Sequence, residues 1–342
     1  MTTQLPITAG RPASPPPVAP DPAPIMQLAA GFMAAKHLFA ASELGLFEAL
    51  ADTPASLDAL AARTGLTRRA ARISADAMVA LGLLDCPDGS YRNSPAAAAF
   101  LAGPTPGLRP FLRFWDKISY PAWTRLAEAL ASGPPQEIFE LGDDLQQVAS
   151  EGIEAILTGP AAALPEVFDF GSRQRLLDVG GGTGSWSIAI ARRHPHIEAA
   201  ILDLPAVTGL ARSRVAAAGL QDRIAVITGD AMASGLPAGY DVFLLANLIH
   251  YFSPEQNRDL LDRAHRAAEP GSALLLADFW TNPAHTQPLH AALMAGEFAV
   301  HIRDGDVYSV DETRNWLEDT GWRFTGHHPL AGPQSLIVAH TV

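Results

Sequence analysis

Apolar runs and helical patterns alternate through the second half of the chain. Five short apolar runs predict β-strands, at residues 175–179, 199–202, 224–227, 242–246 and 273–277. Four stretches with apolar residues at helical spacing predict helices, at about 185–193, 206–218, 255–267 and 288–299. Two last apolar runs, 322–330 and 334–340, predict a closing hairpin. Strands that alternate with helices in this way predict an α/β fold with a doubly wound, mostly parallel sheet.

The first half of the chain has a different, mainly helical pattern. From Ile25 to about Leu50 apolar residues recur densely and few charges interrupt them. This predicts a pair of helices that is unusually buried. Burial against a partner subunit is one way to cover such a surface.

Residues 54–101 predict a helix-turn-helix followed by a wing. Ser56 and Thr67 are N-cap residues for two helices, the second of which runs to about Leu81, and an Asp88-Gly89 turn separates two short strands. This unit has two interpretations, DNA binding through arginines of the second helix or a winged-helix fold used for dimerisation. The formal net charge of −12 favours dimerisation, since DNA binding needs a basic surface.

The segment 106–170 combines helical stretches with a high density of aromatic side chains. They are Phe111, Phe114, Trp115, Tyr120, Trp123 and Phe139. These side chains either line a flat substrate pocket or form part of the core, and the pattern leaves both interpretations open. Gly133-Pro134-Pro135 and Gly159-Pro160 predict breaks between helices.

Length and composition limit the class of protein. The 342 residues, 48% of them hydrophobic and 18% charged, are typical of a globular protein with two domains. Residues 1–24 contain eight prolines and almost no bulky apolar side chains, which predicts a disordered tail. The single cysteine, Cys86, excludes an internal disulfide and a thiolate metal cluster. Without a spanning apolar run or a secretory leader pattern, we expect a cytoplasmic protein with no membrane or nucleic-acid partner.

A glycine cluster follows the first predicted strand of the second half. It begins after Asp178 and places Gly180, Gly182 and Gly184 at every second position before a helical pattern. This spacing differs from the G-x-G-x-x-G of dinucleotide sites, which seat a pyrophosphate. Asp203 ends the next predicted strand, where a carboxylate is placed to hold ribose hydroxyls. S-adenosylmethionine (SAM) has no phosphate, and Asp178 offers a carboxylate for its ammonium group, directly or through water. We therefore predict SAM as the cofactor.

The ordered motifs resemble those of a known family. They are the glycine cluster, Leu202-Asp203-Leu204-Pro205, Gly229-Asp230, Asn247-Leu248-Ile249-His250 and Gly321-Trp322. Together with the winged-helix front end, they resemble the small-molecule O-methyltransferases of the caffeate O-methyltransferase type, in their bacterial branch. The resemblance covers nearly everything after residue 25.

The resemblance implies a homodimer joined through its amino-terminal domains and a Rossmann-like sheet with an antiparallel last strand. We therefore expect four parts: a Pro-rich tail (1–24), a winged-helix dimerisation domain (25–105), a helical linker that lines the substrate pocket (106–170) and a SAM-binding catalytic domain (171–342).

The resemblance also assigns the cofactor site, at which SAM becomes S-adenosylhomocysteine (SAH). Gly180 and its neighbours would cradle the methionine portion, and Asp203 with Leu204 would bind the ribose. The residues beside the adenine would be Asp230, Ala231 and Met232. Asn247 is assigned to the cofactor as well.

His250 follows the fourth predicted strand, where this family keeps its catalytic base. Imidazole suits that role because its unperturbed pKa is about 6.5. Asp278, at the end of the fifth predicted strand, matches an acidic position of the family and would fix the histidine tautomer. The chain departs from the family pattern at Tyr251-Phe252, where an Asp-Trp pair is usual, and at Val307, where a second acid is usual. Glu297 and Asp306 are alternative candidates for that second acid.

The acceptor is expected to be a small, aromatic or polyketide-like secondary metabolite that carries a hydroxyl group. Candidate residues for binding it are Phe114, Trp115, Tyr251, His290, Glu297 and His301. No His, Cys or acidic cluster has the spacing of a metal site, so we expect no metal. Two alternatives stay open: an enzyme of the same fold that methylates nitrogen or carbon or catalyses a non-methylating reaction, and a ligand-sensing regulator that binds DNA through the winged helix.

Overall fold

The computed structural model describes residues 20–103 and 107–342, and its amino-terminal part is mainly helical. The elements of this part are α1 (Ala23–Ala30), α2 (Phe32–Glu43), β1 (Ala55–Ser56), α3 (Leu57–Thr64), α4 (Arg68–Ala80), β2 (Leu84–Asp85), β3 (Ser90–Asn93) and α5 (Pro95–Phe100). The strands pair antiparallel in the order β1-β3-β2, so the predicted helix-turn-helix and wing are present. The predicted tail lies outside the described residues as far as residue 19.

Side chains cap the two helices of this unit as the sequence predicts. The Ser56 hydroxyl accepts a hydrogen bond from the Ala59 N–H at the start of α3. Thr67 accepts one from the Ala70 N–H at the start of α4. These caps satisfy backbone donors that a helix otherwise leaves unpaired, and so they fix where both helices begin.

The first helix is not buried within the chain, which corrects the expectation of an unusually buried helix pair. α1 has no buried residue, and Leu28 is 83% exposed. Ile25, Met26, Phe32 and Met33 are exposed as well. The apolar series is present, but its face points away from the core of its own chain. An exposed apolar face of this kind is typical of a subunit contact.

A helical segment connects this part to the sheet. It comprises α6 (Arg109–Phe114), a π-helical turn (Trp115–Ser119), α7 (Tyr120–Trp123), α8 (Leu126–Ser132) and α9 (Asp143–Val167). α8 ends at Gly133, as predicted, but the predicted break at Gly159-Pro160 is wrong, because α9 continues through Pro160. A proline inside a helix costs about 3 kcal/mol. α9 packs along α6 and buries Ala161 and Leu164 in the main core, and this packing outweighs the local cost.

The second half of the chain forms a seven-stranded sheet covered by helices. Its elements are β4 (Arg175–Val179), α10 (Ser185–Arg193), β5 (Glu198–Asp203), α11 (Pro205–Ala217), β6 (Ile224–Thr228), β7 (Val242–Ala246), α12 (Pro254–Ala267), β8 (Ala273–Asp278), α13 (Leu289–His301), α14 (Val310–Asp319), β9 (Trp322–Pro329) and β10 (Ser335–Thr341). The strand order is β6-β5-β4-β7-β8-β10-β9, and β10 runs antiparallel to both β8 and β9. The predicted doubly wound sheet with an antiparallel last strand is confirmed.

The sheet has a hydrophobic core on each face. Successive residues of a strand point to opposite sides, so Leu176 of β4 belongs to one core and Leu177 to the other. The strand order reverses between β4 and β7, and neighbouring connections there leave the sheet on opposite faces. A crevice forms at the carboxyl ends of the strands at such a point.

One helix of this half is missing from the sequence prediction. α14 begins with a capping box, in which the Ser309 hydroxyl accepts from the Glu312 N–H and the Glu312 carboxylate accepts from the Ser309 N–H. The Ser-x-x-Glu pattern is a usable signal for its start. Among the residues that the structure describes, no helix is both long enough and apolar enough to cross a membrane.

Candidate active site

A cavity of ≈ 640 Å³ opens at the carboxyl ends of β4, β5 and β7, where the strand order reverses. Its wall is formed by the glycine loop after β4, the residues that follow β5, β6 and β7, one face of α9, and the segments 137–139 and 302–304. A cavity of this size at a topological switch point suits a small-molecule ligand.

The glycine loop between β4 and α10 forms one side of the cavity. Gly180, Gly182 and Gly184 all have positive φ angles, of 65°, 57° and 86°. A Cβ atom at Gly180 would lie 2.7 Å from Leu248, so a side chain there would clash. A Cβ atom at Gly182 would meet nothing within 4 Å. At Gly182 the bare backbone therefore borders open space, which lets a ligand approach closely.

Asp203 lies at the end of β5 on the cavity wall. Its Oδ2 accepts a hydrogen bond of 2.7 Å from the Gly182 N–H, and its Oδ1 accepts one of 2.7 Å from the Leu204 N–H. Burial raises the pKa of Asp203, and the two backbone N–H groups oppose that rise. The carboxylate is thus fixed between the glycine loop and the start of α11.

Two further groups of predicted residues line the same cavity. Asp230, Ala231 and Met232 follow β6, and Asp230 Oδ1 accepts a hydrogen bond of 2.8 Å from the Met232 N–H. Asn247 follows β7 with a positive φ of 53°. Its buried Oδ1 has no hydrogen-bond partner within the described part of the chain. On the cavity wall, such an acceptor is available to a ligand that carries a hydrogen-bond donor.

Asp178 lies behind the glycine loop and not on the cavity wall. Its side chain is fully buried, and its Oδ2 accepts a hydrogen bond of 2.7 Å from the Ser187 hydroxyl. A Cβ atom at Gly181 would lie 2.6 Å from this carboxyl group, so the loop backbone covers it closely. Burial raises the pKa of Asp178 to about 7. A ligand in the cavity is separated from Asp178 by the loop.

Glu154 of α9 lines the cavity beside the glycine loop and is not among the residues predicted from the sequence. Its carboxylate accepts hydrogen bonds from the hydroxyls of Thr183 and Ser185 and from Arg214. No motif surrounds Glu154 in the sequence, and its contacts arise only when α9 packs against the loop.

His250 and Asp278 meet at the ends of two neighbouring strands. β7 and β8 are parallel with Ala246 opposite Ala277, so the residues that follow them come together. His250 lies in a 3₁₀ turn, and its Nδ1 is 2.8 Å from Asp278 Oδ1 and 3.0 Å from Oδ2. The Phe279 N–H also donates to Oδ1, at 2.8 Å. Both side chains are buried, and within the described residues His250 Nε2 has no hydrogen-bond partner.

Aromatic rings surround the imidazole of His250. Phe298 of α13 stacks on it, and Tyr251 packs against it with ring centroids 4.5 Å apart. Tyr251 also lines the cavity and contacts Phe139. Burial raises the pKa of Tyr251 to about 12, so its hydroxyl is neutral at physiological pH.

The other predicted substrate residues surround this aromatic group without lining the cavity. Phe114 and Trp115 pack with Phe111 in a separate apolar cluster, and Trp115 also contacts the cluster that contains Phe298. The ring of His290 contacts Phe279.

Glu297 and His301 form a buried pair on α13. The Glu297 carboxylate accepts hydrogen bonds from the Ser119 hydroxyl and the Trp123 indole N–H, and its Oε1 is 3.2 Å from His301 Nε2. Val307 is buried in the apolar cluster around Phe298, and the Asp306 carboxylate accepts from the Val307 N–H. Asp278 is thus the carboxylate that contacts His250 within the described residues.

Family models match both parts of the chain. The model described as an O-methyltransferase domain matches residues 129–323, and the model described as an O-methyltransferase dimerisation domain matches residues 26–103. The chain belongs to the O-methyltransferase family.

Individual members of the family are similar over nearly the whole chain. The 3-hydroxy-5-methyl-1-naphthoate 3-O-methyltransferase of Streptomyces sahachiroi is 35% identical, over 92% of this chain and 93% of that protein. The N,N-dimethyltransferase OxyT of Streptomyces rimosus is 32% identical, over 87% of this chain and 90% of that protein. The solved structure of PigF with SAH has a TM-score of 0.81 at 28% identity, over 93% of this chain and 99% of that chain.

SAM is the cofactor of this O-methyltransferase, and the cavity fits it. The open space at Gly182 allows a ligand to approach the loop backbone closely, and the fixed carboxylate of Asp203 and the unpartnered Oδ1 of Asn247 offer hydrogen-bond acceptors to the donors of SAM. The dimerisation domain supports a homodimer, in which a second subunit would cover the exposed face of α1. The winged-helix unit therefore belongs to dimerisation in this O-methyltransferase.

Proposed function

We propose that this O-methyltransferase methylates a hydroxyl group of a small aromatic metabolite, with His250 as the general base. The observation that carries the proposal is the hydrogen bond between His250 Nδ1 and the buried Asp278, next to the cavity wall at Tyr251. When bound, SAM supplies an activated methyl group. The protein then has to align the acceptor hydroxyl and remove its proton.

Residues of the cavity wall would hold the cofactor. The glycine loop would border the methionine portion, and Asp203 with Leu204 would bind the ribose. Asp230, Ala231 and Met232 would flank the adenine, and the free Oδ1 of Asn247 would accept a hydrogen bond. Asp178 would act from behind the loop, where its carboxyl group packs under Gly181 and accepts a hydrogen bond from the Ser187 hydroxyl of α10.

Asp278 would set the protonation state of His250. An ionised carboxylate can only accept a hydrogen bond, so the Nδ1 that contacts Asp278 carries the hydrogen and donates, and Nε2 keeps its lone pair. Nε2 is then the atom that accepts the hydroxyl proton. A phenol with a pKa of about 10 is ionised to only roughly one part in a thousand at pH 7, and a positioned base typically contributes about 10²- to 10⁴-fold.

The cavity wall near His250 suits an aromatic acceptor. Phe139, Leu248, Tyr251 and Ile302 give it an apolar surface. A related enzyme, at 35% identity, is named for O-methylation of a hydroxynaphthoate. We infer a hydroxylated fused-ring acceptor of that kind. Tyr251 would contact this acceptor directly. The other predicted substrate residues would shape the pocket indirectly, through Phe298 and Phe279. They are Phe114, Trp115, His290, Glu297 and His301.

Transfer to nitrogen is a second candidate, because a relative of 32% identity is named as an N,N-dimethyltransferase. The His250–Asp278 pair favours oxygen. A neutral aromatic amine already presents a lone pair to the methyl group, whereas a phenol must first lose its proton. An aminonaphthoate matched in shape to a hydroxynaphthoate separates the two candidates, and we expect only the hydroxyl compound to be methylated.

His250→Gln tests the proposal, because glutamine keeps a polar side chain but cannot take up a proton. With a hydroxynaphthoate acceptor we expect kcat to fall about 10²- to 10⁴-fold, while SAH binding is retained. The residual rate should rise about tenfold per pH unit between pH 6 and 8, since only the phenolate fraction reacts. His328→Gln, on the exposed side of β9, is the matched control. A wild-type rate in His250→Gln across this pH range would overturn the proposal.

We further propose that the domain boundaries follow the sequence expectation, with dimerisation in 25–105, a linker in 106–170 and SAM binding in 171–342. The long helix α9 supports this division, since it leads from the linker directly into β4. The linker contributes Glu154 and Phe139 to the cavity, so the cofactor and acceptor sites span the second boundary.

A further inference from the structure

The methionine end of the cofactor site contains a carboxylate that the family motif does not supply. Glu154 comes from α9 and lines the cavity together with Thr183 and Ser185. We propose that Glu154, with the hydroxyl oxygens of Thr183 and Ser185, binds the α-ammonium group of SAM. This inference rests on SAM as the cofactor and adds a residue that recognises its amino-acid portion.

The position of Glu154 relative to Asp203 supports the assignment. The Gly182 N–H donates to Asp203, and the next residue, Thr183, donates from its hydroxyl to Glu154 at 2.5 Å. The two carboxylates thus contact consecutive residues of one loop. If Asp203 binds the ribose, Glu154 lies where the methionine portion, which is attached to the ribose, would end.

The chemistry of the group suits an ammonium ion. An ammonium has three N–H donors and no acceptor. Glu154, Thr183 and Ser185 offer oxygen atoms from three side chains, and Ser185 Oγ lies 2.5 Å from both carboxylate oxygens. A carboxylate has about four acceptor positions, and three donors use it here: Thr183, Ser185 and Arg214. One position stays open for a ligand.

Asp178 is the competing candidate, and its surroundings disfavour it. The Ser187 hydroxyl occupies its Oδ2, and its Oδ1, which has no partner within the described residues, lies under the Gly181 backbone and off the cavity wall. Its raised pKa, of about 7, leaves a large fraction of it uncharged at neutral pH. Of the remaining carboxylates on the cavity wall, Asp230 binds the Met232 N–H, Glu137 pairs with Arg303, and Asp304 is exposed on the segment 302–304, away from the hydroxyls of the glycine loop that Glu154 contacts.

Arg214 is a positioning residue in this arrangement. Its guanidinium donates to Glu154 Oε1 at 2.6 Å, and it is not part of the cavity wall. The ion pair fixes the side chain of Glu154, which is largely buried, toward the loop.

Calorimetric titration of Glu154→Gln with two ligands tests the inference. SAH carries the ammonium group, whereas 5′-methylthioadenosine has the nucleoside without the amino-acid portion. We expect the Kd for SAH to rise about 10- to 100-fold in the variant, and the Kd for methylthioadenosine to stay within about twofold of the wild type. Glu151→Gln, one turn earlier on the exposed side of α9, is the matched control and should change neither value.

Each other outcome has a separate meaning. Equal weakening of both ligands in Glu154→Gln would show that Glu154 only supports the loop, and unchanged or tighter SAH binding would show that it does not contact the ammonium. Either result overturns the inference. Wild-type protein that fails to bind SAH would instead overturn the cofactor assignment.

A second experiment uses only the wild-type protein and applies if Glu154→Gln does not fold. An SAH analogue with hydrogen in place of the ammonium group should bind about 10- to 100-fold more weakly than SAH. Equal affinity for the analogue and SAH would overturn the inference.

Discussion

Phe298 lies flat against the imidazole of His250, with ring centroids 4.0 Å apart and ring planes 9° apart. Tyr251 packs against the same imidazole at a tilt of 43°, and Asp278 holds Nδ1. The ring is therefore fixed by its faces and by one edge. The edge that carries Nε2 is where an acceptor hydroxyl has to approach.

Phe298→Leu is expected to lower kcat without changing SAH affinity. Leucine fills much of the space but provides no flat surface for the imidazole. Loss of an aromatic contact worth about 0.5–1.5 kcal/mol corresponds to a decrease of about two- to tenfold. Steady-state kinetics with a hydroxynaphthoate would measure it, with the exposed Phe100→Leu as control. An unchanged kcat would show that the stacking does not orient the base.

Asp278→Asn is expected to reduce kcat about 10²-fold in the wild-type background and to have little further effect in His250→Gln. The reason is that Asp278 acts only through the histidine. A double-mutant cycle of kcat values measures this coupling. If the fold-decreases in kcat of the two single variants multiply in the double variant, Asp278 has a role that does not depend on His250. The two residues would then not form a catalytic unit.

Asp178→Asn is expected to stabilise the protein more at high pH than at low pH. Burial raises the pKa of Asp178 in the folded state to about 7, far above its value in an unfolded chain. A raised carboxyl pKa means that the folded state binds the proton more tightly, so stability falls as pH rises toward 7. Asparagine has no such proton to lose. The stability of the variant relative to the wild type should therefore increase by about 2 kcal/mol between pH 5 and 7.

Urea unfolding of the wild type and of Asp178→Asn at pH 5, 6 and 7 measures the difference in their free energies of unfolding directly. Comparing the two at each pH removes the contribution of other groups, such as His290 and His327, whose pKa values burial lowers. A stability difference independent of pH would contradict the buried, proton-binding state of Asp178.

Leu28→Glu is expected to convert the homodimer into a monomer. Leu28 is exposed in the single chain at the centre of the apolar face of α1, and a carboxylate buried at a subunit contact is costly. Light scattering coupled to size-exclusion chromatography would measure the mass. Leu210→Glu, on the exposed side of α11, is the control and should remain dimeric. A dimeric Leu28→Glu protein would place the contact on another surface.

The sheet can be predicted from the sequence because its buried strands are continuous apolar runs. Residues 273–277 are an example, and every residue of β8 is buried. α9 shows where this approach fails. Gly159-Pro160 obeys a local rule for helix ends, but the packing of Ala161 and Leu164 overrides it. Local signals cannot include contacts between residues that are far apart in the chain.

The candidate site likewise contains residues that the sequence can predict and residues that only the packed structure brings together. Asp203 is the last residue of β5 and His250 lies in the turn that follows β7, so their common edge can be inferred from strand positions alone. Glu154 and Arg214 are 60 residues apart in two helices without a motif, and only the packed structure shows that they meet. The burial of Asp178 likewise depends on the path of the glycine loop, which its spacing does not determine.

Identification of the methylated atom tests the central claim most directly. The wild-type protein would be incubated with a hydroxynaphthoate and SAM labelled with ¹³C in its methyl group, and the product would be analysed by NMR and mass spectrometry. We predict a single labelled methoxy group, formed by the wild type and the His328→Gln control and almost absent with His250→Gln. A labelled methyl group on carbon or nitrogen, or a methoxy product formed equally well without His250, would contradict the account.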